Sequence, residues 1–220
     1  MIDAHTTAIV HRWDTDAAYI ADQNTDNSWS HETEWGECAA MKFMMYGDRI
    51  KELGYLYHDD TAADFGGNDG FAANQFYLRH GIKPMVIDCE PRRLAFAKQE
   101  YGLEILRCFL EDIPLSDNSI DWGFCSHTME HTRDVDAALS EIARVIKRAC
   151  WFILPLETVE NALKNPAHSV ACPTLKEWRR LMKPYWVIKG TEVGSCRGEA
   201  RVFAIPRKLS KVSKVSKVKS

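Results

Sequence analysis

Asp64-Phe65-Gly66-Gly67-Asn68-Asp69-Gly70 sits where a short apolar run, residues 61–65, gives way to an amphipathic stretch, residues 72–80. The first predicts a strand and the second a helix closed by Gly81. Glycines in such a bend let the backbone turn sharply and approach a ligand with no Cβ in the way. Asn68 tolerates positive φ better than most residues and stands where a further glycine would serve. A glycine-rich turn alone is a weak signal, because many merely join strand to helix. A second element raises its value: Val86-Ile87-Asp88 ends the next predicted strand, residues 85–87, with a carboxylate 24 residues after Asp64. A carboxylate at that strand end accepts hydrogen bonds from both hydroxyls of a ribose. Bend plus carboxylate read as an adenosine-type site.

Outward from this pair the chain alternates. Pro91–Tyr101 predicts a helix with Pro91 in its first turn, followed by strands at 103–106 and 120–126. A helix is predicted over 135–147, where Val135, Ala138, Leu139, Ile142 and Ile146 recur at helical spacing, and then a short apolar strand at 150–154. Alternation of this kind predicts an α/β fold: a doubly wound, mostly parallel sheet with helices on both faces. Residues 175–182 predict a further helix, and 186–189 and 200–205 two strands able to pair antiparallel. Before the bend, residues 1–37 are polar with no clear period, and residues 37–56 are helical in pattern, with Met41, Met44, Met45, Ile50 and Leu53 on one apolar face. Residues 1–206 are expected to form one domain, 1–56 being an N-terminal arm and helix that serves as a lid or packs on the sheet. Trp29, His31 and Trp35 are its candidate acceptor-side residues.

Two ligand classes suit an adenosine-type site. A nicotinamide dinucleotide wants G-x-G-x-x-G and holds its pyrophosphate on the helix N-terminus. Here Asn68 replaces the middle glycine, Phe71 begins the helix, and Asp69 would repel the anion. S-adenosylmethionine has no phosphate and carries a positive sulfonium, which Asp64 and Asp69 suit.

Three blocks, ADFGGNDG, VIDCEPRRLAFAK and LEDIPLSDNSIDWGFCSHTMEHTRDVDAALSEIARVIK, together resemble the class I S-adenosylmethionine-dependent methyltransferases, in particular the type-11 methyltransferase family. The resemblance spans residues 61–156 and, more loosely, the segment to 206. It implies a Rossmann-like methyltransferase fold with seven strands, one antiparallel, and S-adenosyl-L-methionine as cofactor. It implies that Asp64, Phe65, Gly66, Gly67 and Gly70 line the methionine part, that Asp88 binds the ribose and that Cys89 borders the adenine. Phe109 stands where the family often has an acidic residue, so Leu110 or Glu111 is the expected adenine contact, with Ser126 at the end of the fourth strand.

His127-Thr128-Met129-Glu130-His131 matches H-x-x-E-H, a zinc-peptidase pattern in which both histidines share a helix face and a third ligand is required. His168 is a candidate third ligand. The same five positions fall where the resembled family often has Leu-Glu-His, and on that reading no metal is expected; His127 and His131 are the catalytic candidates, His127 the better of the two and His131 otherwise capping or packing the helix start. A hydroxyl or ammonium acceptor must lose a proton, which a histidine near neutrality can take. The segment 126–129 lacks the Asp/Asn-Pro-Pro-aromatic signature of enzymes that methylate DNA bases. A fold that binds cofactor without catalysis is the other alternative, motivated by Asn68 and Phe109.

The bulk properties agree. A chain of 220 residues with 45% hydrophobic and 27% charged residues is an ordinary globular protein. No apolar run approaches the ~20 residues that span a bilayer, and the first residues carry no secretory pattern, so the cytoplasm is the expected location. Seven scattered cysteines without a C-x-x-C pair argue against a disulfide framework or a structural zinc. Residues 207–220 carry six positive charges in a SKV repeat, expected to be disordered. Removing them from the net −3 leaves −9 for residues 1–206, a poor electrostatic partner for nucleic acid except through the tail itself. A small-molecule, lipid or sugar acceptor is therefore expected.

Overall fold

The computed structural model describes residues 8–9, 13, 15–23, 30–194 and 198–207. Trp29, one of the seven cysteines (Cys196) and the tail from 208 onward lie outside the described residues. In chain order the elements are β1 (Ala8–Ile9), α1 (Asp16–Gln23), α2 (Glu34–Glu52), β2 (Ala62–Phe65), α3 (Phe71–His80), β3 (Met85–Asp88), α4 (Pro91–Tyr101), β4 (Ile105–Arg107), β5 (Ile120–Ser126), a single 3-10 turn (Met129–His131), α5 (Val135–Val145), β6 (Ile146–Pro155), α6 (Val159–Ala162), β7 (Val170–Ala171), α7 (Leu175–Met182), β8 (Trp186–Val193) and β9 (Glu199–Pro206).

Seven strands form one sheet in the order β4-β3-β2-β5-β6-β9-β8, while β1 and β7 make a separate two-stranded pair. Within the large sheet, neighbours from β4 to β6 run parallel and β9 is antiparallel to both β6 and β8. This is the expected α/β, Rossmann-like fold with one antiparallel strand. The central strands are buried on both faces, which is why β2 and β5 read as continuous apolar runs rather than alternating ones. One face packs α5 and α7 around Phe65, Leu139, Ile142 and Trp178; the other packs α2, α3 and α4 around Phe43, Phe76, Leu94 and Phe124.

The local signals explain the element ends. Glu90 caps α4 by accepting from Arg93 N at 2.7 Å, Pro91 occupies its first position and Gly102 closes it at φ +61°. Asp134 caps α5 through the amides of Asp136 and Ala137. Four expectations need correction. The helix read at 37–56 is Glu34–Glu52, capped by Thr33. Its apolar face is Ala39, Phe43, Tyr46 and Ile50, at i, i+4, i+7, i+11, whereas Met41 and Met45 are half exposed. Met41 stands two residues, about 200°, on from Ala39, and Met45 the same from Phe43. The helix read at 135–147 stops at Val145, because Ile146 already pairs with Ile120 in the sheet; helix passes directly into a ten-residue strand. The strand read at 150–154 runs Ile146–Pro155. Within the N-terminal arm, β1 pairs with β7 and α1 is anchored to Arg133 and Ala167.

Candidate cofactor and acceptor site

Strand order reverses between β2 and β5, and both leave the sheet at the same carboxyl edge. That edge is where open α/β sheets bind ligands. A cavity lies there, lined by Gly66, Asn68, Asp88, Cys89, Leu110, Glu111, Ser126, His127 and His131 among others. The bend after β2 is fixed by its own backbone. Gly66 N and Gly67 N both donate to Ile87 O, at 2.7 and 3.3 Å, and Asn68 N donates to Asp88 Oδ2 at 3.0 Å. The sequence-read bend and carboxylate are therefore joined directly. Asn68 has φ +54°, the left-handed conformation expected of it. Gly66 has φ +70°, and a Cβ there would fall 2.2 Å from Thr128 Cγ2, so only glycine fits. Asp88 Oδ1 accepts from Glu90 N at 2.9 Å. Each of its oxygens keeps a second lone pair for a ligand hydroxyl.

Not every residue read from sequence faces this cavity. Phe65 is fully buried in the core, Gly70 packs against Ala97 at the start of α3, and Gly67 covers the Asp64 carboxyl group. Asp64 is buried beneath the bend. Burial, with Asp88 and Asp69 adding repulsion, pushes its carboxyl up to about 8. Asp69, grouped with Asp64 in the sequence reading, turns elsewhere: Oδ2 meets His31 Nδ1 at 2.6 Å, and Oδ1 accepts from Phe71 N. His31 stacks on Phe96 at 4.5 Å and lines a separate hollow with Asp69. Cys89 stays a neutral thiol, its pKa raised by burial and by Asp88. Glu111 accepts from Arg133 N and Asp134 N, holding the chain that follows the 3-10 turn, while Leu110 is a buried apolar wall. Phe109 is held between Tyr19, at 5.7 Å, and the Arg133 guanidinium, 3.8 Å from its ring centroid.

The His127–His131 segment does not form a helix presenting two histidines on one face. His127 leaves β5 at φ +49°, outside the single turn Met129–His131. His127 Nε2 lies 3.3 Å from Glu199 Oε2 and Nδ1 lies 3.3 Å from Glu130 Oε1. Burial works to lower the His127 pKa, but the two carboxylates outweigh it and hold the ring above its ordinary value. Glu199 also pairs with Lys42 Nζ at 2.6 Å. Although burial opposes ionisation, His127 and Lys42 hold its carboxyl down at about 2.

Sequence reasoning missed Tyr19 and Gln23 of α1, which line the cavity. Gln23 donates to Ala167 O, Arg93 donates to Gln23 O, and Arg133 pairs with Asp16. These anchors join α1 to α4, to the chain after the 3-10 turn and to the segment before β7, and no local period marks them. Lys42 and Glu199 were missed for the same reason. The one usable signal was an acid, Glu199, opening a mostly apolar strand.

The family model described as a methyltransferase domain matches residues 63–154. No curated protein sequence matches the chain. Among solved structures, a chain from the complex between the Haloferax volcanii Trm112 methyltransferase activator and a candidate methyltransferase is similar at TM-score 0.63 and 14% identity, covering 89% of this chain and 96% of that one. A candidate sarcosine dimethylglycine methyltransferase from Galdieria sulphuraria is similar at TM-score 0.62 and 17% identity, covering 82% and 77%. The [4+2]-cyclase SpnF is similar at TM-score 0.56 and 18% identity, covering 70% and 62%. At these identities the likeness is one of fold.

Proposed function

With a class I methyltransferase domain in residues 63–154 as the premise, we propose that this protein binds S-adenosyl-L-methionine and transfers its methyl group to an oxygen or nitrogen of a small-molecule, lipid or sugar acceptor. The observation that carries the reading is the direct union of the Gly66–Asn68 bend with Asp88 at one end of the cavity.

The donor set fits this cofactor and not a dinucleotide. The amides of Gly66, Gly67, Asn68, Gly70 and Phe71 are each bonded within the protein, so they do not present an anion nest to a pyrophosphate. The cavity walls offer carboxylates instead, Asp88, Glu90 and Glu111, with Asp64 beneath. Asn68 Oδ1 is buried with no partner among the described residues and offers a further acceptor. In this reading Asp88 holds the ribose hydroxyls, Cys89 and Leu110 border the base, and Gly66 and Ser126 lie towards the methionine part. The chemistry supplied by the cofactor when bound is an electrophilic methyl on a sulfonium. The protein's share is to orient the acceptor and exclude water, worth about 7–11 kcal/mol when geometry is near-ideal. Tyr19 and Gln23 serve the exclusion by roofing the cavity.

His127 is the proposed catalytic side chain, placed at the exit of β5 in the cavity wall. Both ring nitrogens face carboxylates, which favours holding and orienting a polar acceptor over free proton abstraction. The same geometry favours a second reading, cofactor binding without methyl transfer, since both ring nitrogens of His127 are engaged by carboxylates. Calorimetry with S-adenosylmethionine tests the premise: micromolar binding supports it and no heat refutes it. Turnover with the true acceptor then separates the two readings, and unchanged turnover in His127→Ala would remove His127 from the chemistry.

A further inference from the structure

We infer that Glu130, His131 and His168 form a binding site for one divalent metal ion of the zinc class, beside the cavity that His131 helps to line. One ligand atom from each of the three lies within 4.8 Å of the others. The inference stands on that convergence together with an unsatisfied carboxylate. Glu130 is 1% exposed, and its Oε2 has no hydrogen-bond partner among the described residues. A carboxylate oxygen left that way in a protein interior is costly, and structures that retain one call for an explanation such as an ion.

The surroundings are those of a ligating pair of histidines. His131 Nδ1 faces Ala167 O at 3.1 Å, and His168 Nδ1 faces Glu157 Oε2 at 2.6 Å. A carbonyl and a carboxylate only accept, so both Nδ1 atoms carry the proton and the lone pair of each ring belongs to Nε2. Metal-binding histidines are held in this way, with the distal N–H on a carbonyl or carboxylate that fixes tautomer and ring direction. His131 Nε2 lies 3.9 Å from Glu130 Oε1, and the two imidazoles meet edge to face at 4.6 Å. Tetrahedral ligands around zinc stand about 3.3 Å apart, so the three need draw together by only about 1.5 Å at most. The backbone already brings them close: Ser169 N donates to Glu130 O at 2.7 Å, and Ser169 Oγ bonds both Glu130 O and Thr132 O. Two imidazoles and one carboxylate suit zinc and its neighbours better than magnesium or calcium, which take oxygen ligands. Three protein ligands is also the number that leaves a fourth position for water or a substrate atom.

The test does not depend on the cofactor. The full-length protein, dialysed against chelator, is titrated with Zn²⁺ in competition with a chromophoric chelator, and separately with Co²⁺. The expected result is one saturable site, a visible Co²⁺ band without a thiolate charge-transfer band, and a rise in Tm of about 5–10 °C at a hundredfold excess over Kd. Glu130→Gln and His168→Asn are each expected to abolish the band and the rise. Absence of saturable binding, a thiolate band pointing to cysteine ligands, saturation by Mg²⁺ but not Zn²⁺, or undiminished binding in the variants would overturn the site. If either variant fails to fold, the wild-type Co²⁺ spectrum decides by the identity of its ligands. Calorimetry with S-adenosylmethionine on the metal-free protein reports on the cofactor reading alone.

Discussion

The bend after β2 and the bend after β5 leave neighbouring parallel strands and reach the same cavity. In the first, Gly66, Asn68 and Gly70 take positive φ, and the amides of Gly66, Gly67 and Asn68 are tied to Ile87 and Asp88, on the next strand of the sheet. In the second, only His127 takes positive φ, and the work falls to side chains: His127 and Glu130 within the bend, and Glu199, Lys42 and His168 from far away. A bend made of backbone binds through shape and costs little charge burial. A bend made of buried side chains must satisfy every charge it encloses. The first is expected to fail in binding when it is damaged, and the second in stability.

The largest effect expected is on the second bend. Lys42→Met leaves Glu199 buried without its ammonium, at a cost of about 3–5 kcal/mol, so Tm should fall by roughly 6–15 °C. A fall below 2 °C in thermal denaturation would mean that Arg201 and His127 alone satisfy the carboxylate. Next, Asp88→Ala should weaken S-adenosylmethionine by about a hundredfold or more, from two lost charge-assisted hydrogen bonds, while lowering Tm much less than Lys42→Met. Calorimetry and thermal denaturation on the same two variants set the contrast directly. If both variants lose stability equally, the two bends do not differ as described.

A smaller effect separates charge from shape within the first bend. Asp64 is held up to about 8, so it is protonated at pH 7. A cationic ligand favours the ionised form, so binding expels a proton and affinity should rise with pH up to about 8 and then level off, by at most about tenfold per unit. In the free protein the sign is opposite: a carboxyl raised from its unfolded value of about 4 withdraws stability as pH climbs from there to about 8. Asp64→Asn should flatten both profiles, the first read by calorimetry in buffers of different ionisation heat and the second by Tm against pH. Tyr19→Ala, which opens the roof without touching either bend, should weaken cofactor binding by only about threefold to tenfold, consistent with a loss near 1 kcal/mol.

The same contrast explains what the sequence disclosed. Glycine and asparagine at fixed positions, with an aspartate ending the next strand, announce a backbone-built bend, because few residues tolerate those torsions. Pro91 and Gly81 marked helix ends for the same reason. The β5–β6–α5 region was legible in its periodicity, except at Val145–Ile146, where no turn residue separates helix from strand. The second bend shows in the sequence only as HTMEH, a pattern whose familiar meaning requires a helix that is not formed. Its real partners, Glu199 and His168, stand 72 residues from His127 and 37 residues from His131, and pairings at that range leave no local period. In α2 the methionines misled because hydrophobicity alone does not tell an inward face from an outward one, while Phe43 stacked on Phe124 at 4.3 Å does.

The Lys42–Glu199 pair joins residues 157 positions apart. During translation the strands β2 to β5, whose ends reach the cavity, have been delivered once residue 126 emerges, but the acid that receives the Lys42 ammonium arrives some seventy residues later. Until then α2 must seat Phe43, Tyr46 and Ile50 with a solvated cation in their midst. The nascent chain is thereby discouraged from locking α2 down before β9 is in place, and fragments ending short of Glu199 should show an open, chaperone-binding α2 face.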